Sequence, residues 1–176
     1  YPLCALILII LVCIIFFSKK RINNIETKIY KQMVIYNLLE CLFAVCGIIL
    51  INMIGPTPVA NYIVKIDYCL MLLWGATFTK YVISISLKNE IQQKKSLLII
   101  KAYSIISSII ILLLPVELIL TNSTIDSKGM STNAVLISAV LYILIITILT
   151  IKIFKDKNFE NNKKKLIPLF SLIVLV

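Results

Sequence analysis

Of 176 residues, 60% are hydrophobic, and the mean hydropathy is +1.01; soluble domains run nearer about 45–50% apolar. Too few polar side chains remain to cover a soluble globule, so the chain reads as an integral membrane protein. The formal net charge of +10 sits in short stretches between apolar runs, where it is a topology signal and not a nucleic-acid surface.

There is no histidine, which removes imidazole as metal ligand, general base or phosphoacceptor. Cys4, Cys13, Cys41, Cys46 and Cys69 all fall inside apolar segments and form no C-x-x-C pair, so they read as small apolar fillers, not as zinc ligands or disulfides. No glycine-rich phosphate loop, carboxylate dyad or nucleophile elbow is present. No catalytic, cofactor-binding or metal-ligating residue is therefore expected in this segment.

In chain order, residues 2–17 form an uncharged apolar run closed by Lys19-Lys20-Arg21. The run is short of the about 20 residues of a spanning helix. Because the chain opens at Tyr1, not Met, the deficit reads as a clipped end, and Phe16-Phe17-Ser18 offers no signal-peptide cleavage site. A second helix is predicted over 30–54, ended by Gly55-Pro56-Thr57-Pro58, whose prolines cannot continue it. A third, more polar helix covers 62–87 and contains Lys65, Asp67, Thr77, Thr79 and Lys80, positions that need protein or water around them, not lipid. The fourth is predicted over 97–120 with a kink at Pro115, and a polar loop from Thr121 to Asn133 leads to the fifth, 134–154. A lysine-rich loop over 155–165 then opens a sixth, incomplete helix over 166–176, with Pro168 in its first turn. The expected fold is thus all-α: a polytopic membrane helix bundle of five full spans and the start of a sixth, one domain over 1–176.

Charge sets the expected orientation. Of 18 Lys and Arg, 5 lie in 19–31, 4 in 88–101 and 6 in 152–165, whereas the two opposite loops, 55–61 and 121–133, share only Lys128. By the positive-inside rule the three basic loops are cytoplasmic and the N-terminus is outside. Neither outer loop is long enough to fold as a domain, so any stimulus must be read within or just above the membrane.

Glu40, with Asn37 one turn below it, stands near bilayer mid-depth and is expected to face the bundle interior, either as a ligand, ion or proton site or as a polar clamp between helices. Lys80 reads either as its partner across the second and third helices or as a snorkelling lysine. Asp67 and Glu117, at the outer level, could line a shallow outward cavity with Trp74 deeper down, or simply sit at the interface. Gly75 with Thr79, and Ser104 with Ser108, are pairs four apart that suit close helix approach.

The run Ser18-Lys19-Lys20-Arg21-Ile22 through Glu26-Thr27-Lys28-Ile29-Tyr30, followed by the helix of Asn37 and Glu40, resembles the N-terminal membrane region of Gram-positive multi-pass sensor histidine kinases. Leu73-Trp74 with Phe78 and Tyr81, the Gly129 to Ala134 stretch, and Lys163-Lys164-Lys165-Leu166-Ile167-Pro168 are similar to the same group in the same order. The resemblance implies a bacterial cell-membrane sensor whose helices precede a cytoplasmic dimerisation and phosphoacceptor region and an ATP-binding domain. ATP and Mg would then belong to those domains and not to this segment, and the partners would be lipids, a second copy through the cytoplasmic region, and a response regulator, with no nucleic acid. Similar membrane regions also precede diguanylate cyclase domains. The rival readings are a fragment of a small-molecule or ion transporter using Glu40, Lys80 and Asp67 as a charge path, and a structural subunit.

Overall fold

The computed structural model describes residues 2–18, 20, 24–87, 89–120 and 125–155. Five helices and one hairpin follow in order: α1 (Pro2–Ser18), α2 (Ile25–Ile54), α3 (Pro58–Ser86), α4 (Glu90–Leu113), β1 (Glu117–Leu120), β2 (Ile125–Lys128) and α5 (Met130–Lys155). The sixth helix expected over 166–176, and the basic loop before it, lie outside the described residues.

Three helices begin earlier than their apolar runs because a polar side chain caps each one. Asn24 Oδ1 accepts from the Thr27 amide at 2.7 Å, Thr57 Oγ1 from Ala60 at 3.3 Å, and Asn89 Oδ1 from Ile91 at 3.0 Å. Such caps stabilise a helix by about 1 kcal/mol each. They move the start of the second helix from 30 to Ile25, of the third from 62 to Pro58, and of the fourth from 97 to Glu90. Pro58 does not lengthen the turn but occupies the first helical position, where its missing N–H costs nothing. Gly55, at φ 76°, ends α2, so α2 and α3 are antiparallel neighbours across a turn of three residues, Gly55 to Thr57.

The fourth helix ends at Leu113, not at 120. The proline ring of Pro115 disfavours a helical conformation at the residue before it, and Leu114 is extended at φ −74°, ψ 149°. The chain then forms the antiparallel hairpin β1–β2, with Glu117 opposite Lys128 and Leu118 opposite Ser127. Tyr68 of α3 hydrogen-bonds Ser127, and its hydroxyl lies 3.3 Å from Thr132 Oγ1, so the hairpin is anchored on α3. Gly129, at φ 119°, brings the chain against Pro115, whose carbonyl accepts from the Ser131 amide at 3.1 Å.

Four helices, α2 to α5, are long and apolar enough to cross a membrane; α1 is shorter. Within the apolar window of α3, 56% of residues are buried, against 17–22% for the other three. The most polar of the four is therefore the central one, packed against α2, α4 and α5. Thr77 and Thr79 are accommodated there by donating to carbonyls one turn back, at 2.8–2.9 Å. Ile29 and Met33 of α2, Phe78, Tyr81, Val82 and Ile85 of α3, and Ile153 of α5 form one core cluster. Leu72, Ala76 and Ile83 of α3 with Ile100 and Ile111 of α4 and Val135 and Tyr142 of α5 form the other. Gly75 lets α5 close on α3: a Cβ there would lie 3.2 Å from Cδ2 of Tyr142.

Candidate functional site

Several polar residues of the two apolar helices α2 and α3 lie along the interface between them. Asn37 is buried, and its Oδ1 accepts from Cys41 Sγ at 3.7 Å one turn further on. Glu40, half-buried beside them, feels the charge of Asp67 across the helix interface, and both carboxylates act on Cys41. Oδ1 of Asp67 is buried with no hydrogen-bond partner among the described residues. The group comprises Asn37, Glu40, Cys41 and Asp67: two carboxylates, an amide and a thiol in a partly dehydrated setting where like charges repel strongly.

Lys80 is not the partner of Glu40. The reason lies in the turn that joins the two helices. Glu40 is fourteen residues before Ile54, whereas Asp67 is nine and Lys80 twenty-two residues after Pro58. At 1.5 Å per residue these positions are about 21, 14 and 33 Å from the turn. Asp67 thus stands within about two helical turns of Glu40 in depth, and Lys80 more than two turns away on the other side. Counting from the opposite ends of the two helices, with the second begun at Tyr30 instead of Ile25, places the two residues too close. Lys80 is instead under the influence of Lys101 of α4.

The trio expected to line an outer cavity is not drawn together. Asp67 belongs to the α2–α3 group. Trp74, two turns further along α3, packs on the core cluster of Ile29 and Met33 and against the Phe78 ring, 5.8 Å between centroids. Glu117 is exposed on β1, across the hairpin from Lys128.

Two polar devices at the hairpin end carry no motif. Lys65 Nζ donates to the carbonyl of Leu112 at 3.0 Å, satisfying one of the orphan acceptors in the last turn of α4. Ser131 Oγ donates to Ile111 O at 3.2 Å. The Pro115 stop and the positive-φ Gly129, which bracket the hairpin, are the sequence signals from which it could have been read.

Among the described residues no group of three or more Cys, Asp or Glu side chains is arranged to hold a metal ion. No protein family, curated protein or solved structure matches the chain.

Proposed function

We propose that the chain is the membrane-embedded sensing portion of a bacterial signalling histidine kinase, coupling an external or intramembrane stimulus to a cytoplasmic output region. The observation that carries this reading is the placing of Glu40 and Asp67 on facing helices, with a buried carboxyl oxygen of Asp67 left unpartnered among the described residues. Any change in the charge of that pair alters the repulsion across the α2–α3 interface, and α3 transmits it to α4 and α5. A stimulus acts on such a bundle only through unequal affinity for its alternative packings. The resemblance of the Ser18 to Tyr30 stretch to multi-pass sensor kinases supports the reading independently. In this proposal the ends of the bundle that carry the basic stretches 19–31, 88–101 and 152–165 face the cytoplasm, α1 to α5 all span the membrane, the N-terminus is outside, and a sixth span begins at 166.

The test is ATP-dependent autophosphorylation of the full-length protein in proteoliposomes, with and without Glu40→Gln and Asp67→Asn. Phosphorylation on histidine whose basal level shifts in both variants is the expected result. A full-length protein that carries no phosphoacceptor histidine and takes no phosphate from ATP would sink the proposal. The same carboxylate pair favours a second reading, an ion or small-molecule transporter. Proton or sodium flux into proteoliposomes, abolished by Asp67→Asn, would select it.

A further inference from the structure

The α3–α4 hairpin has a regular register. Ser84 O accepts from Gln93 Nε2, Ser108 O from Cys69 Sγ, and Leu112 O from Lys65 Nζ. Fifteen residues back along α3, from Ser84 to Cys69, match fifteen forward along α4, from Gln93 to Ser108, and the next four match four. Lys80, four before Ser84, is therefore level with Leu97, four after Gln93. Lys101 is one turn beyond, about 6 Å along the axis, within reach of two flexible lysine stems. The field of Lys101 does reach Lys80.

These two cations have no counter-charge among the described residues. Among the described residues no ion pair joins either one to a carboxylate. Of the eight acidic residues, Glu40 and Asp67 lie on α2 and α3 within each other's influence, Glu117 and Asp126 are on the hairpin, Glu26 and Glu90 open α2 and α4, and Asp156 and Glu160 lie outside the described residues. Lys101 is also exposed within an apolar surface: Leu98, one turn before it, is 68% exposed and Ile105, one turn after, 48%. A lysine inside an apolar, outward-facing stripe meets the headgroup and the upper acyl chain of a lipid at once.

We infer that Lys80 and Lys101 form a seat on the α3–α4 face for the phosphate of an anionic phospholipid, whose acyl chain lies on Leu98 and Ile105. Two close ammonium groups without a carboxylate are stabilised by a shared anion. Clefts of this composition between membrane helices are suited to acidic headgroups. The apolar flanks select an amphiphile over a soluble anion. The inference needs α3 and α4 in a membrane, but it does not depend on the signalling reading: a chain without kinase output would still bind the lipid.

The test is native mass spectrometry of the full-length protein in mild detergent, titrated separately with phosphatidylglycerol, phosphatidylcholine and inorganic phosphate. One phosphatidylglycerol per chain should survive where phosphatidylcholine is lost. Lys80→Gln with Lys101→Gln should weaken retention by at least about tenfold, Lys80→Arg with Lys101→Arg should restore it, and Lys128→Gln should leave it unchanged. Lys101→Gln alone, at an exposed side chain, should give an intermediate loss and serves as the readout if the double variant does not elute as folded protein. Equal retention of the two lipids, unchanged retention in the glutamine variants, or inorganic phosphate displacing phosphatidylglycerol at equal concentration would each overturn the assignment.

Discussion

Asp67, and not Lys80, is the charged side chain that acts on Glu40. The site is therefore a pair of carboxyl groups across the α2–α3 interface, not an ion pair. Glu40→Gln and Asp67→Asn, made singly and together, are expected to be non-additive in unfolding free energy by about 0.5–3 kcal/mol, because the second neutralisation relieves no repulsion that the first has left. Glu40→Ala with Lys80→Ala should be additive within about 0.5 kcal/mol, and exchanging their charges should rescue nothing. Equilibrium unfolding in mixed detergent and SDS measures both cycles. Coupling in the lysine cycle, with additivity in the carboxylate cycle, would reverse the conclusion.

Two tyrosines in contact, Tyr103 and Tyr142, should respond oppositely to loss of the hydroxyl. Their rings meet edge to face at 5.6 Å, but among the described residues only the Tyr103 hydroxyl has a partner, donating to Ser138 Oγ at 3.1 Å. The Tyr142 hydroxyl is buried with none among the described residues. Tyr103→Phe is expected to cost about 0.5–1.5 kcal/mol, whereas Tyr142→Phe should be neutral or stabilising, since it removes an unsatisfied polar group without opening a cavity. Thermal unfolding of the two variants in one detergent decides it; a larger loss for Tyr142→Phe would mean that its hydroxyl has an important partner.

The two positive-φ glycines should differ in what they tolerate. A Cβ at Gly129 would fall 2.9 Å from the carbonyl oxygen of Pro115, while at Gly55 nothing lies within 4 Å. Gly55→Ala carries only the backbone cost of φ 76°, ψ −175°, a region nearly confined to glycine, about 1–3 kcal/mol. Gly129→Ala adds to a similar backbone cost a clash with the Pro115 carbonyl oxygen and should cost more than Gly55→Ala, by prising β2 from the end of α4. Proteolytic susceptibility of the hairpin should rise in Gly129→Ala and not in Gly55→Ala; the reverse order would discount the close approach.

The proposed orientation rests on the distribution of lysine and arginine over short loops. Reporter fusions at Asn24 and Gln92 are expected to give the cytoplasmic signal, and one at Ser127 the external signal. An inverted pattern would overturn both the orientation and the sensor proposal built on it.

Hydropathy made the five described helices visible in the sequence, because apolar length is what a membrane demands and it needs no tertiary information. Their starts were less legible: reading from the first apolar residue passes over Asn24, Thr57 and Asn89, polar residues that belong to the helices through their caps. The hairpin was hidden because Leu118, Ile119 and Leu120 continue the apolar character of α4, and only the conformational effect of Pro115 on Leu114 separates helix from strand. Half of the site was legible. Asn37 and Glu40 were singled out by depth on one helix, but their neighbour on α3 depends on the register of two helices, and that is fixed by the exact residues of the turn between them. An error of a few residues at a helix start was enough to exchange Asp67 for Lys80.

The central place of α3 also determines how its sequence can drift. On α5 the buried residues Ser131, Val135, Ser138, Tyr142 and Ile153 follow a single stripe, so three of its four sides can accept almost any apolar replacement. On α3 the consecutive residues Ala76, Thr77, Phe78 and Thr79 are all buried, as are Tyr81, Val82 and Ile83. A saturation scan should therefore show a helical period of tolerance along α5 and an intolerant block from Ala76 to Ile83 broken only at Lys80, leaving this stretch of α3 little freedom to vary while the more exposed helices around it change.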